Sequence, residues 1–269
     1  MIIFKQMKKY IKEEYYNLKY NHSLKLLTII LLIILYPITI PLVLFGFFIG
    51  MIIALLPEKK EYDKSVYKLI TKKNYIDIIF DKGYSAEYYT WKILNGQPEY
   101  KKVLINLYLP KEDGNTCEVD AILINKYGIF VIESKGYSGW IFGSDNNKMW
   151  LQTIYKYKNK FYSPVLQNRN HIKILAKILD IDDMNIFKSY IVFSNRCEIK
   201  KMNIKKENLR VIKREQLNET LKNDYNNFKE VLNNEQIKDI EDKLFKYMFC
   251  DDLIKAEHIE YVEKSKKIL

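Results

Sequence analysis

Two segments near the middle of the chain, CEVDAILI (117–124) and GIFVIESK (128–135), read as β-strands joined by the turn Asn125-Lys126-Tyr127-Gly128. With the turn centred between Lys126 and Tyr127, Asp120 lies opposite Glu133, and Lys135 projects from the same face two residues on. Ile122, Ile124, Ile129 and Val131 fill the rest of that face, and Ala121, Leu123, Phe130 and Ile132 fill the other. Both faces are apolar, so the hairpin is covered on both sides and the acids sit at the end of a buried surface. Like charges placed directly opposite destabilise a hairpin, and buried unpaired carboxylates cost more still. Lys135 or a divalent cation must offset them. Oxygen ligands of this hardness suit Mg²⁺ or Mn²⁺, with the backbone carbonyl of Ser134 as an extra ligand. Such a metal polarises a phosphoryl oxygen and acidifies a bound water, and Lys135 beside it orients or deprotonates that water or neutralises developing charge. A structural salt bridge at a strand end uses the same three residues, so the triplet alone leaves both readings open.

The elements around the hairpin follow from spacing. GYSAEYYTWKIL (83–94) reads as a helix with Tyr84, Glu87, Trp91 and Leu94 on one face, where a purely structural acid at 87 is unexpected. A strand over 100–110 closes at Pro110. The stretch Gly136 to Gly143 reads as a tight turn without the spacing of a phosphate loop, and a strand follows over 150–157. Ser163-Pro164 starts a helix that runs to Leu179, with Ile172, Leu175 and Leu179 as its core stripe. Gln167 and His171 lie one turn apart on that helix and share a face; a lone histidine there more often satisfies a local hydrogen bond. Gln167 falls near the amino end, which favours a phosphate. Strands over 189–194 and 209–212 and helices near 214–222 and 234–248 complete an α/β sandwich around a mixed central sheet. Tyr137 is a candidate substrate contact, and Trp140 and Trp150 suit core packing more than base stacking.

The stretch EVDAILINKYGIFVIESKGYSGWIFG closely resembles the NERD (nuclease-related) domain, a branch of the PD-(D/E)XK nuclease-like superfamily. Further pieces stand in the expected order: Gly83-x-x-Ala86-Glu87, Tyr108-Leu109-Pro110, Trp150-x-Gln152, and Ser163-Pro164-x-x-Gln167-Asn168-x-x-His171. The resemblance covers roughly 83–200. It implies a restriction-endonuclease-like mixed sheet flanked by helices, with Asp120 and Glu133 as metal ligands, Lys135 as the catalytic lysine, Glu87 as the acid of the first helix, and Gln167 as the glutamine common near such sites. Val119 stands where the superfamily name implies a proline. The implied activity is Mg²⁺- or Mn²⁺-dependent phosphodiester hydrolysis of nucleic acid, DNA ahead of RNA. A catalytically inactive module that binds nucleic acid or recruits a protein at the membrane is the alternative.

The chain has 269 residues, 48% hydrophobic and 29% charged, which excludes a disordered or low-complexity polymer. Net charge is +11, carried by 40 lysines and only four arginines (Arg169, Arg196, Arg210, Arg214), a modest pointer to an anionic partner. Cys117, Cys197 and Cys250 fit neither a disulfide framework nor a zinc site. From Leu26 to Leu56, 31 residues carry no charge, which suits a transmembrane anchor, either one helix kinked at Pro37 and Pro41 or, less favoured, a re-entrant hairpin. Six lysines flank the run on each side, so the positive-inside rule ties. Reduced thiols favour a cytoplasmic domain on a single-pass protein. The expected organisation is a basic segment 1–25, a span 26–56, a charged tether 57–82, the nuclease-like domain 83–200, and a helical extension 201–269 packed on it.

Overall fold

The computed structural model describes residues 2–249 other than 205, together with 256, 258 and 260, so Cys250 and most of residues 250–269, the tail of the expected C-terminal extension, lie outside the described residues. Two compact units divide the chain, Met1–Glu61 and Tyr62–Leu269. The first lies within one continuous helix, α1 (Ile2–Asp63), whose last two residues belong to the second unit and which contains the charge-free run with both prolines inside it. A single helix through the run is the favoured of the two expectations, and the less favoured hairpin break is not seen. Its Ile40–Asp63 portion, 24 residues, is long and apolar enough to cross a bilayer; at 1.5 Å per residue it spans about 36 Å against a hydrocarbon core of about 30 Å. The side chains of 28–39 are not among those described.

In the second unit, the stretch expected as a tether contributes two short helices, α2 (Val66–Thr71) and α3 (Tyr75–Phe80), ahead of α4 (Lys82–Asn95). Each start is capped. Ser65 Oγ accepts from the Lys68 N–H, Asp77 accepts from the Asn74 N–H, and Asp81 Oδ1 accepts from the N–H groups of Gly83 and Tyr84. Tyr62, Tyr67, Tyr75, Tyr88 and Trp91 are all buried in one aromatic cluster with ring centroids 5.2–6.3 Å apart. Residues 62–80 therefore belong to the packed unit, because the tyrosines interleaved with the lysines have a core to enter.

The main sheet has the order β1 (Lys101–Pro110), β2 (Thr116–Asn125), β3 (Gly128–Lys135), β7 (Phe187–Phe193), β9 (Leu209–Lys213). Its first three strands are antiparallel and the step from β3 through β7 to β9 is parallel, which gives the mixed sheet expected. Every residue from Ala121 to Ile124 and from Ile129 to Ile132 is at most 3% exposed, so both faces are covered. Helices α4, α5 (Pro164–Leu179) and α7 (Asn234–Phe245) pack on it. Helix α6 (Leu217–Asn227) is tied down by buried Asp224, which takes two guanidinium bonds from Arg210 (2.6 and 3.0 Å) and the hydroxyl of Tyr190.

A second sheet of four strands was not anticipated: β6 (Tyr157–Tyr162), β5 (Met149–Ile154), β4 (Gly139–Ser144), β8 (Cys197–Asn203). The glycine-rich stretch expected as a turn supplies β4. Its glycines serve close packing instead: a Cβ at Gly143 would lie 2.2 Å from the Trp150 ring, and one at Gly139 (φ +76°) 2.4 Å from the Thr153 carbonyl oxygen. The single strand expected over 150–157 is a hairpin, turning at Tyr155 with φ 53°. Ile141, Trp150, Phe161, Val165, Ile191, Phe193 and Cys197 form the core that joins this sheet to β7.

Candidate active site

Strands β2 and β3 pair in the register read from the turn, from Asn125↔Gly128 to Ala121↔Ile132, and the ladder stops there. Asp120 and Glu133 are thus one step beyond the last pair. Asp120 Oδ2 accepts the backbone N–H of Ser134 at 2.6 Å in place of a ladder bond. On its other side, β1 pairs Ile105↔Ala121 and Leu107↔Val119 but skips Asn106, whose φ is 50°. A left-handed residue inside a strand breaks the ladder locally and stores strain of order 1–3 kcal/mol. Asp120 therefore occupies a gap in both neighbouring ladders.

Glu133 is 1% exposed. Its Oε1 lies 2.5 Å from Lys135 Nζ, while its Oε2 has no hydrogen-bond partner and stands 3.5 Å from His171 Nδ1, which is unbonded too. Lys135 Nζ also donates to Gln167 Oε1 at 3.1 Å. Gln167 and His171 reach the strand ends because α5 is fixed at its start. Ser163 Oγ caps it with Pro164 in the first turn, and buried Asn168 donates Nδ2 bonds to the Val131 carbonyl (2.8 Å) and Ser189 Oγ (2.9 Å). Glu87 comes from α4, where its Oε2 is 3.5 Å from the Tyr67 hydroxyl. Helix α4 is set against the exit of β3 by a close approach at Gly136, where a Cβ would fall 2.2 Å from the Lys82 carbonyl oxygen.

The electrostatics are dominated by excess negative charge out of water. Burial, then the fields of Glu133 and Glu87, push Asp120 well above the usual carboxylate range, although Lys135 and the Ser134 N–H oppose this. Burial and the neighbouring Glu118 and Glu133 push Glu87 up to about 7. Burial alone would lower Lys135, but Glu133 and Asp120 outweigh it and hold the ammonium charged. Burial depresses His171 more than Glu133 raises it, so the imidazole is neutral at pH 7. One ammonium faces three carboxyl groups in a desolvated setting. Among the described residues no three Asp, Glu, His or Cys side chains converge tightly enough to hold a metal ion as placed. The donor set nonetheless fits a hard divalent cation through Asp120 and Glu133, since the unbonded Glu133 Oε2 is a buried acceptor with no donor to serve.

Asp120, Glu133, Ser134, Lys135 and Gln167 are therefore linked by direct bonds, and Glu87 joins them through its field. Tyr137 packs its ring on Phe161, with centroids 4.6 Å apart, and Trp150 is core; Trp140 is 53% exposed. Two asparagines stand out to which sequence reasoning gave no role, Asn168 although it stands in the α5 motif and Asn106 outside any motif. Asn168 locks α5 to the sheet, and Asn106, at the register position beside Asp120, has a buried Oδ1 without a hydrogen-bond partner. An asparagine inside an otherwise apolar run, KKVLINLYLP, was the available sign of the latter.

A strand hairpin ending in an acid opposite Glu-x-Lys, followed by a parallel step covered by α5, defines a nuclease-like α/β domain. Comparison with known families agrees: residues 82–194 match the nuclease-related domain (NERD). An uncharacterized protein of Bacillus anthracis is 29% identical over 182 residues, covering 67% of this chain and 84% of the relative. No solved structure matches.

Proposed function

We propose that this protein is a membrane-anchored nuclease that hydrolyses phosphodiester bonds of nucleic acid, DNA ahead of RNA, with Mg²⁺ or Mn²⁺ bound by Asp120 and Glu133 and assisted by the Ser134 carbonyl. The observation that carries this is the asymmetry at Glu133: one oxygen is engaged by Lys135 and the other is buried with nothing to accept. When bound, the cation would supply Lewis acidity toward a phosphoryl oxygen and a water. Lys135, held protonated and hydrogen-bonded to Gln167, would orient the attacking water and neutralise charge developing on the phosphoryl group. Neutral His171 lies behind Glu133, with Nδ1 3.5 Å from its unbonded Oε2. Helix α1 supplies the anchor. Cys117 and Cys197 are free thiols, which suits a reducing, cytoplasmic side.

The test is cleavage of labelled single- and double-stranded DNA and RNA by the full-length chain in detergent, with Mg²⁺, Mn²⁺ or EDTA. Cleavage should need the metal and should fall by at least about 100-fold in Lys135→Ala and Glu133→Gln. Wild-type inactivity on every substrate with both metals, or full activity in Glu133→Gln, would refute it. The short Lys135–Glu133 ion pair also suits a non-catalytic tether, which would bind nucleic acid in a steeply salt-dependent way, ignore metal and release no product.

A further inference from the structure

Forty of the 44 cationic side chains are lysines, so the places that hold arginine are informative. Arg210 is spent on buried Asp224 and Arg169 reaches the Asp145 carbonyl. Arg196 and Arg214 have no carboxylate partner among the described residues, and the Arg196 charge acts on Arg214. Arg196 lies in the turn after β7 and donates Nη2 to the Gly136 carbonyl at 2.9 Å, one residue past Lys135. Arg214 follows β9 directly; its Nη1 is 3.5 Å from the Ser85 carbonyl, two residues before Glu87, and its guanidinium lies 5.0 Å from the Tyr89 ring centroid. The two turns are stitched together, since the Glu215 N–H donates to Asn195 Oδ1 at 2.9 Å. The nearby carboxylates are already engaged, Glu215 by Lys213 at 2.6 Å and Glu198 by Lys200 at 3.5 Å.

Both guanidiniums thus sit at the carboxyl ends of the parallel strands β3, β7 and β9, where open α/β sheets present their ligands. Each is anchored by a carbonyl and keeps further N–H donors free. Burial, with the Arg196 charge adding to it, makes the Arg214 cation costly, although Tyr89 offsets part of this. Two cations on turns joined by the Glu215–Asn195 bond repel one another, and a shared anion would offset that repulsion. A planar fork also reads the oxygens of a phosphate in a way an ammonium does not.

We propose that Arg196 and Arg214 form a guanidinium clamp for a backbone phosphate of the nucleic-acid strand, adjacent to the phosphodiester presented to Lys135. The clamp rests on the nuclease reading and adds to it a defined path for the strand: across the ends of β7 and β9, over the first turn of α4. It holds the strand in register, so its loss acts on binding and leaves the chemical step intact.

The experiment measures binding of a labelled single-stranded oligonucleotide to the full-length chain in detergent by fluorescence anisotropy in EDTA. A salt titration and, with Mg²⁺, steady-state cleavage complete it. Arg196→Gln and Arg214→Gln should each weaken binding about tenfold and raise KM with kcat nearly unchanged. The slope of log K against log salt should fall by about 0.7 per arginine. Arg196→Lys and Arg214→Lys should keep the slope but lose affinity, and these charge-preserving variants decide the matter should the glutamine variants fail to fold. Lys173→Gln, on the exposed side of α5, serves as the charge control. A wild type that binds and cleaves, with arginine variants no weaker than Lys173→Gln, overturns the clamp and leaves the nuclease reading standing. A wild type that neither binds nor cleaves overturns both.

Discussion

Glu87 offers a quantitative test of whether the acids share one desolvated field. Its carboxyl is pushed up to about 7 by burial and by Glu118 and Glu133, from an ordinary value of 4.5. Between those two pH values the folded chain holds a proton that the unfolded chain has released, so stability falls as pH rises through the interval and is flat above it. At 1.36 kcal/mol per pH unit the loss is about 3 kcal/mol. Glu87→Gln removes the titration at the cost of the long Tyr67 bond to Oε2, about 1 kcal/mol. The variant should therefore match or trail wild type at pH 4 and exceed it by about 2 kcal/mol at pH 8. For a folded unit of about 200 residues that is roughly 4–8 °C in Tm. Thermal unfolding of the full-length chain in detergent, in EDTA, followed by fluorescence of Trp91 and Trp150 from pH 4 to 8, reads it directly. In wild type, Mg²⁺ should recover much of the deficit at pH 8, because a cation neutralises the same field. Parallel pH profiles for wild type and Glu87→Gln would refute the reasoning and place Glu87 in solvent, outside the site.

Two further substitutions probe how the fold holds the site. Gly136→Ala forces a Cβ to 2.2 Å from the Lys82 carbonyl oxygen, so α4 must retreat from the end of β3; stability should drop by about 2 kcal/mol in urea unfolding, and cleavage should fall with it. Asn106→Gly relieves the positive φ while removing the side chain: stability should hold within about 1 kcal/mol, whereas Asn106→Val should lose at least about 2 kcal/mol, and equal stability of the two by urea unfolding would show that the backbone there is unstrained.

The hairpin register was legible because its turn is short and both of its faces are uninterrupted runs of Ile, Val, Leu and Phe; slipping by one residue would invert every pair. Ser163-Pro164 marked α5 for a comparably local reason, a hydroxyl cap followed by a residue preset for a first helical turn. What stayed hidden depends on partners distant in the chain. Nothing in SKGYSGWIFGS says that Gly139 and Gly143 exist to let backbone and indole approach, since Trp150 and Thr153 meet them only once β4 and β5 pair. Tyr62, Tyr67 and Tyr75 looked like a tether because lysines stand between them, and their burial appears only when α4 offers Tyr88 and Trp91.

The same division runs through the site itself. Asp120, Glu133 and Lys135 could be read from alternation along two strands, yet alternation would also have placed Asp120 in an ordinary cross-strand pair with Glu133. The structure departs from that in a way that matters chemically. With Asn106 left-handed on one side and the Ser134 N–H diverted on the other, the ladder releases Asp120 where its partner acid would otherwise repel it across a fixed distance. A rigid ladder would have frozen the two carboxylates at a pairing geometry that like charges resist. The gap leaves Asp120 tied to the sheet by the Ser134 N–H alone, while Glu133 is engaged by Lys135, itself bonded to Gln167. On the proposed reading, a divalent cation would draw Asp120 toward Glu133 across that gap, and the metal titration of the cleavage assay tests this.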